Sequence, residues 1–489
     1  MEHESAWKRY KAADLARLEE LAGGYIDFIS DNKTERECTK SAIELAQRRG
    51  YTPLDDAVAA RRALAPGDKV WASARGKALI LVQIGREPLA RGVNILGAHI
   101  DSPRLDLKQN PLYETADFAL LDTHYYGGIK NYQWVTLPLA LHGVVAKTDG
   151  SVVDVAIGEA PGDPVFCVSD LLPHLGNQQM AKKASEAVEG EALDVLVGNR
   201  PSALADGEAS ADGEAPADGD ASAAGDASAA AEAPKDPVKA YALSLLASAY
   251  GIDEEDFLSA EIEVVPAGRA RELGFDRSMV IGYGQDDRVC AYTSLLAQLD
   301  LADEPLEKTA VTVLVDKEEI GSVGATGMAS QFFENTMAEV MELAGEGGLL
   351  PLRRALAASS MLSSDVSAGF DPTYASVFEA KNSAYLGRGL VFNKYTGSRG
   401  KSGSNDARAE YVARVRRVMD DAGVAFQTAE LGRVDAGGGG TIAYLPAKYG
   451  MDVIDSGVAV LSMHSPWEVS SKADIYEAYK GYQAFLRAM

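Results

Sequence analysis

The sequence is poor in cysteine and histidine and contains no long apolar run. It has three cysteines and six histidines in 489 residues. Because the cysteines (Cys38, Cys167 and Cys290) are odd in number and far apart, they argue against a disulfide framework and favour a reducing compartment. No segment is apolar enough to span a bilayer, and the first residues lack the apolar stretch of a secretory signal. These absences predict a cytoplasmic protein.

Basic residues are scarce relative to acidic ones. The chain has 47 Lys and Arg against 72 Asp and Glu, a net charge of −25 at pH 7. This charge argues against nucleic acid or an anionic membrane as a partner. Part of the acidic excess is local, because residues 203–236 carry nine acids and one lysine in a stretch of small residues with little to bury. We predict a disordered acidic insertion there.

The order of predicted elements indicates two kinds of architecture in one chain. Strands alternate with helices in residues 1–104 and 269–489, which predicts an α/β catalytic domain with a mixed, mostly parallel sheet flanked by helices. In residues 105–268 the strand-like pieces follow one another closely, with little helical patterning between them. We therefore predict a β-rich module, inserted into the α/β domain and carrying the acidic insertion.

One stretch combines a buried strand with a pair of glutamates. Val311–Val315 consists of β-branched residues and leucine, which predicts a strand buried on both faces. Glu318 and Glu319 follow after Asp316 and Lys317, and ligands bind after the carboxyl ends of such strands in open α/β sheets. Adjacent carboxylates repel and need separate roles, so one would bind a cation and the other move protons. The alternative is a solvated acidic turn.

Other acid and imidazole positions have similar settings next to predicted strands: His99, the pair Asp286 and Asp287, Asp365, and His464 after the predicted strand Val458–Met463. In a parallel sheet, such positions converge on one edge. Each residue taken singly favours a structural role, such as a core histidine or a turn. Their joint placement favours a shared site.

The donor types in this set indicate a particular kind of metal chemistry. Imidazole and carboxylate without thiolate suit zinc, manganese or cobalt in a hydrolytic site better than a structural zinc. Two histidines and three carboxylates exceed one open tetrahedral site and match two metals that share a bridging carboxylate. Three carboxylates and one hydroxide also balance two dications. Asp101, two residues after His99, is placed to accept the second imidazole N–H.

A glycine run supplies a further candidate contact. No Lys-Ser or Lys-Thr follows Gly437–Gly440, so a phosphate-binding loop is not indicated. Gly438 and Gly439 are instead candidates for close backbone approach to a substrate. A plain flexible turn is the alternative.

Several stretches occur in the order found in a known family: Ala98–Arg104, Gly284–Asp287, Asp316–Ser322, Ser364–Val366 and Met463–Pro466. In these stretches the chain resembles the M18 metallopeptidases, the aspartyl aminopeptidase family. The resemblance runs through most of the sequence, and residues 203–236 fall outside it. It implies a dizinc aminopeptidase with a β-rich dimerisation domain inserted into the α/β domain.

The resemblance also implies residue roles. Carried over, the metal ligands are His99, Asp286, Glu319, Asp365 and His464. Asp286 would bridge two zinc ions. Asp287 follows it where one branch of the family has asparagine, so either aspartate is a candidate bridge, and the alignment with the family favours Asp286. Asp101 would orient His99, and Glu318 would be the general base in hydrolysis of the first peptide bond of short peptides.

Family members assemble from dimers into tetrahedral dodecamers, which implies the same for this chain. His174 matches a histidine that is donated to the neighbouring subunit's site. Lys394, in Asn393-Lys394-Tyr395, is a loose counterpart of the lysine that reads acidic substrate side chains, so both Asp/Glu and neutral first residues remain candidates. The competing hypotheses are an amide hydrolase or deacylase on the same dizinc core, and an inactive scaffold.

Overall fold

The computed structural model describes residues 4–202, 234–397 and 400–489. Residues 203–233 of the predicted acidic insertion lie outside the described residues. The described chain forms two compact units. The first comprises residues 1–103, 126–129 and 268–489, and the second comprises residues 104–125 and 130–267. Among the described residues, no helix is both long enough and apolar enough to cross a membrane.

The described residues contain twelve α-helices. In chain order, the α-helices are α1 (Ala12–Asp31), α2 (Glu35–Arg48), α3 (Leu54–Ala59), α4 (Asn177–Met180), α5 (Ala184–Ala187), α6 (Pro237–Tyr250), α7 (Gln285–Asp300), α8 (Phe332–Leu343), α9 (Leu349–Ala358), α10 (Ala409–Asp421), α11 (Tyr444–Ala447) and α12 (Lys472–Ala488).

The strands belong to three sheets. In chain order, they are β1 (Thr52–Pro53), β2 (Lys69–Ala74), β3 (Ala78–Gln83), β4 (Asn94–His99), β5 (Arg104–Thr115), β6 (Phe118–Tyr126), β7 (Leu139–Ala146), β8 (Val152–Ile157), β9 (Cys167–Val168), β10 (Val195–Gly198), β11 (Ala260–Pro266), β12 (Arg271–Leu273), β13 (Met279–Gly282), β14 (Ala310–Val315), β15 (Ser360–Ser364), β16 (Ser367–Ala368), β17 (Leu390–Asn393), β18 (Phe426–Thr428), β19 (Asp452–Gly457), β20 (Ala459–Leu461) and β21 (Glu468–Ser471).

The first unit is built on a nine-stranded sheet in the order β1-β2-β3-β14-β4-β15-β19-β17-β18. Its central strands β14, β4, β15 and β19 are parallel, whereas β2, β3 and β17 introduce antiparallel neighbours. The predicted α/β fold with a mixed, mostly parallel sheet is therefore confirmed. The predicted strand Val311–Val315 is β14, in which every residue is buried.

Helices cover both faces of this sheet. Leu79 and Leu81 of β3 pack in one apolar cluster with α1, α2, α7 and α12, while Ile80 and Val82 pack in another with α8 and α9. This division follows from the alternation of side chains along a strand. Each Leu, Ile or Val buried in this way contributes about 1.5–3 kcal/mol to folding, so packing on both faces stabilises the strands whose ends carry the site residues.

A smaller sheet of five strands, in the order β12-β13-β21-β20-β16, also belongs to the first unit. It corrects one prediction. Val458–Met463 is not one strand, because β19 ends at Gly457 in the large sheet and β20 covers only Ala459–Leu461 in the small one. His464 therefore follows a strand of the smaller sheet.

The second unit contains a seven-stranded sheet in the order β8-β7-β11-β5-β6-β10-β9. The pairs β8–β7, β7–β11, β11–β5, β6–β10 and β10–β9 are antiparallel. Residues 126–129 fall within the first unit although the sequence predicts them inside the β-rich module. The chain thus leaves the β-rich module for four residues and then returns to it.

Candidate metal centre

Three of the predicted donors lie at the carboxyl ends of adjacent parallel strands. His99 is the last residue of β4, and it pairs with Val315, the last residue of β14. Glu319 lies in the 3-10 turn that follows β14, and Asp365 directly follows β15. The pleated register of neighbouring strands thus brings these side chains to one edge of the large sheet, as the sequence predicts.

The other two donors reach the same place from the smaller sheet. Asp286 lies in the first turn of α7, just after β13, where its φ and ψ of −80° and 108° are not helical. His464 follows β20 and has a positive φ of 64°. The prediction that all five positions end strands of one parallel sheet is therefore wrong, because two sheets supply them.

Asp286 is the centre of the cluster. Its Oδ1 lies 3.2 Å from Nε2 of His99, and its Oδ2 lies 3.3 Å from Nε2 of His464. Nε2 of His99 is also 3.8 Å from Oδ1 of Asp365, and Nε2 of His464 is 3.6 Å from Oε2 of Glu319. One carboxylate thus presents a separate oxygen to each imidazole.

The donor atoms form two trios that share Asp286: His99, Asp286 and Asp365, and Asp286, Glu319 and His464. Within each trio, the donor atoms all lie within 4.8 Å of one another. Ligands about 2.1 Å from a tetrahedral zinc are about 3.4 Å apart, which is close to the measured separations. His99, Glu318 and Glu319 form a further combination, but only the first two trios together use all five predicted donors.

Electrostatics also fit a cation. Burial raises the pKa of Glu319 well above its usual range, and the charge of Asp286 adds to this effect. Burial alone would lower the pKa of His464, but the hydrogen bond to Asp286 and the charge of Glu319 raise it to about 10. The carboxylates therefore attract positive charge strongly. A dication would satisfy the same carboxylates and displace the imidazole protons.

Asp101 contacts both the histidine that ends β4 and the turn that follows β14. Nδ1 of His99 lies 3.0 Å from the carbonyl oxygen of Asp101 and 3.3 Å from its Oδ1, which leaves Nε2 facing Asp286. The same carboxylate accepts hydrogen bonds from the backbone N–H groups of Glu318, at 3.1 Å, and Glu319, at 3.2 Å. The Asp101 carboxylate therefore contacts both the His99 imidazole and the turn that carries the glutamate pair.

Glu318 lines a cavity of about 590 Å³ together with four of the five donors, Asp286, Glu319, Asp365 and His464. Burial raises the pKa of Glu318 to about 8, and the charge of Asp365 adds to this while His99 opposes it. Gly438 and Gly439 line the same cavity. A carboxylate and two glycines with little side chain between them and the cavity therefore line the same volume as the donors.

Two predicted site residues lie elsewhere. The ammonium group of Lys394 pairs with the carboxylate of Asp406, and Lys394 is not among the cavity-lining residues of the described chain. His174 belongs to the second unit, where its side chain is exposed. Asp287 is fully buried and belongs to neither trio, and burial together with the charge of Asp365 raises its pKa well above the usual range.

The structure also shows supporting residues that the sequence analysis missed. Nδ1 of His464 lies 2.9 Å from the carbonyl oxygen of Gly128, and the hydroxyl of Tyr126 donates to Asp101 at 2.9 Å. Glu468 accepts hydrogen bonds from the backbone of Asp286 and His464. Residues 126–129 carry no sequence signal for this role. Glu468 offered one, since it is an acid four residues after a candidate ligand.

Comparisons with known proteins show the family that this chain resembles. The family model described as aminopeptidase I zinc metalloprotease (M18) matches residues 28–486. A curated relative from Clostridium acetobutylicum, a probable M18 family aminopeptidase 1, is 57% identical over 485 residues, which cover 99% of this chain and 98% of the relative. The relatives are named aminopeptidases, which supports that prediction over a deacylase or an inactive scaffold.

Solved structures give the same result. The M18 aminopeptidase from Thermotoga maritima superimposes with a TM-score of 0.89 at 42% identity, covering 100% of both chains. Aminopeptidase I from Clostridium acetobutylicum gives a TM-score of 0.87 at 55% identity, covering 99% of both chains. A structure described as the S. cerevisiae mApe1 dodecamer shares the fold, with a TM-score of 0.72 at 18% identity over 96% of both chains. The chain belongs to the M18 family of zinc aminopeptidases, hydrolases that remove the first residue of a peptide.

Proposed function

We propose that this aminopeptidase holds two zinc ions between the two trios of donors, with Asp286 as the shared ligand. The observation that carries this proposal is the separate oxygen that Asp286 presents to His99, at 3.2 Å, and to His464, at 3.3 Å. Asp365 completes one trio and Glu319 completes the other. Manganese or cobalt would suit the same oxygen and nitrogen donors.

Bound zinc supplies a Lewis acid that activates water and polarises a carbonyl group. The chain's own residues supply positioning and proton transfer. Glu318 lines the cavity but belongs to neither Asp286 trio, so its carboxylate is available to take a proton from the attacking water and pass it to the leaving amine. The backbone N–H of Glu318 donates a hydrogen bond to the Asp101 carboxylate at 3.1 Å, which holds Glu318 in place. Gly438 and Gly439 let the peptide main chain approach closely.

Short peptides are the proposed substrates, with Asp, Glu or a neutral residue at the amino end. Lys394 would favour acidic residues only if it left Asp406, the partner it has in this structure. The described residues that line the cavity include no lysine or arginine, and Asn393 and Thr396, close to Lys394 in sequence, are uncharged. The contribution of Lys394 to specificity therefore stays a prediction from the family resemblance.

We further propose a homo-oligomer built from dimers, up to a tetrahedral dodecamer, in which His174 completes the partner subunit's site. His174 is exposed, and the neighbouring Leu171, Leu172 and Leu175 expose 46%, 49% and 69% of their surface. Apolar side chains exposed together are typical of protein interfaces. The β-rich module would thus serve dimerisation. Cytoplasmic localisation remains a prediction from the sequence.

Asp286 and Asp287 provide a matched test of the two-zinc proposal. We expect Asp286→Asn to weaken zinc binding in both trios, beyond the roughly 10–100-fold typical of a lost supporting residue, because both trios share this carboxylate. Asp287→Asn removes the neighbouring buried carboxyl group and should leave two zinc ions per chain. Calorimetric titration of zinc into the metal-free variants measures both affinities. Two intact sites in Asp286→Asn, with loss in Asp287→Asn, would show that Asp287 is the bridge.

A further inference from the structure

Glu468 contacts the backbone of two candidate ligands at once. Its Oε2 accepts a hydrogen bond from the N–H of Asp286 at 3.0 Å, and its Oε1 accepts one from the N–H of His464 at 2.8 Å. The side chain is buried, with 1% of the residue exposed. Both oxygens of one carboxylate are therefore committed to the two loops that supply Asp286 and His464.

The strand pairing explains how one residue reaches both loops. Glu468 begins β21, and it pairs with Gly282, the last residue of β13. Asp286 follows β13 after a short turn, while His464 precedes β21 by four residues. Glu468 thus lies next to both the loop that carries Asp286 and the loop that carries His464. Its carboxylate is well placed to set the distance between these two ligands.

One of the two ligand backbones needs such support in particular. His464 has a φ of 64°, in the left-handed region that non-glycine residues rarely adopt, and a conformation of this kind persists only where surrounding contacts hold it. Asp286 has an extended backbone that interrupts the helical geometry of α7, so its position is not set by the helix. The N–H bonds to Glu468 are contacts that fix these two residues directly.

We propose that Glu468 is a positioning residue that keeps Asp286 and His464 at the spacing required by the zinc ion of the Asp286, Glu319 and His464 trio. This inference rests on the proposed two-zinc function. Loss of a residue that orients metal ligands typically lowers metal affinity 10–100-fold. The trio of His99, Asp286 and Asp365 depends on Glu468 through one ligand only, so its affinity should fall less.

Glu468→Gln tests this role. Glutamine has nearly the same shape, but its amide NH₂ cannot accept a hydrogen bond, so one of the two backbone N–H groups loses its partner. Asp474→Asn is a matched control. Asp474 is equally buried and accepts two backbone hydrogen bonds, from Gly387 at 2.7 Å and Gly389 at 2.6 Å, neither of which is a candidate ligand. The two variants therefore lose similar bonds in different places.

The measurement is zinc content per folded chain after equilibration with a graded series of chelator concentrations. We expect Glu468→Gln to release one zinc ion at about 10–100-fold lower chelator strength than the unmodified protein, while the second ion is held more nearly as before. Asp474→Asn should lower the melting temperature but release both ions at the same chelator strength as the unmodified protein.

Equal zinc retention by Glu468→Gln and the unmodified protein would overturn the positioning role and leave the two-zinc proposal intact. An unmodified protein that binds no zinc would overturn the proposed function itself. If Glu468→Gln does not fold, Glu468→Asp replaces it, since the shorter side chain keeps the charge but cannot span both N–H groups. Unchanged affinities in a folded Glu468→Asp would overturn the inference equally.

Discussion

Replacing Glu318 by glutamine is expected to lower turnover about 10²–10⁴-fold while both zinc ions stay bound. Glu318 lines the cavity and is absent from both trios that contain Asp286, so the change removes a proton acceptor and spares the ligand set. Because glutamine preserves the shape and the hydrogen-bonding reach of glutamate, the KM for a peptide should change little. The variant should therefore lower kcat.

Glu319→Gln is the matched comparison, because the two residues are adjacent and share the support of Asp101. Glu319 belongs to a trio with Asp286 and His464, so the main effect of Glu319→Gln should be weaker zinc binding. Metal analysis of both dialysed proteins, together with kcat at saturating zinc, separates the roles. A Glu318→Gln protein that loses zinc beside a Glu319→Gln protein that keeps it would reverse the assignment.

His174→Ala is expected to lower turnover about 10²–10³-fold without changing zinc content. The reason is the proposed donation of an imidazole N–H to the carbonyl oxygen of a substrate bound in the partner subunit. Loss of a single hydrogen-bond donor to a developing oxyanion has an effect of this size. His124→Ala is a suitable control, since His124 is another exposed histidine of the second unit.

Mixing two inactive variants shows whether His174 acts across an interface. His174→Ala and Glu318→Gln proteins are dissociated together and allowed to reassemble. In a mixed dimer, one site combines an intact Glu318 with an intact His174 of the partner subunit. Random reassembly should restore about a quarter of the activity, since half of the dimers are mixed and each has one complete site. Mixed dimers as inactive as the parents would exclude the role in trans.

The large-sheet half of the site was predictable because its signals are local. The buried run that became β14 and the polar residues that follow it are contiguous in sequence, and the register of parallel strands then brings His99, Glu319 and Asp365 together. A continuous run of β-branched residues and the rule that ligands bind at the carboxyl edge of the sheet suffice for this step.

The other half depends on long-range packing. Asp286 and His464 come from the smaller sheet, whose short strands carry little pattern, and its antiparallel pairing of β13 with β21 is not readable from either segment alone. The contacts of Gly128 and Tyr126 arise from an excursion of the chain out of the β-rich module. Hydrogen bonds of this kind between distant segments leave no periodic signal in a sequence.

The family resemblance also says little about side-chain contacts between distant residues. It predicts that Lys394 contacts the substrate because the residues next to it in the sequence match the family, whereas in the structure the Lys394 ammonium group pairs with Asp406. A motif specifies which residues lie near one another along the chain. The rotamer that a long, half-exposed lysine adopts depends on the charges around it, and here Asp406 is within reach.

The most direct test of the account is the release of free amino acids from tripeptides by the zinc-loaded protein. The peptides begin with Asp, Glu, Leu or Met, and each is offered with a free and with an acetylated amino group. We expect one residue at a time to be released from the amino end of the free peptides, little release from the acetylated ones, and loss of release when a chelator removes zinc. No release from any free peptide, or equal cleavage of the acetylated forms, would contradict the assignment as a zinc aminopeptidase.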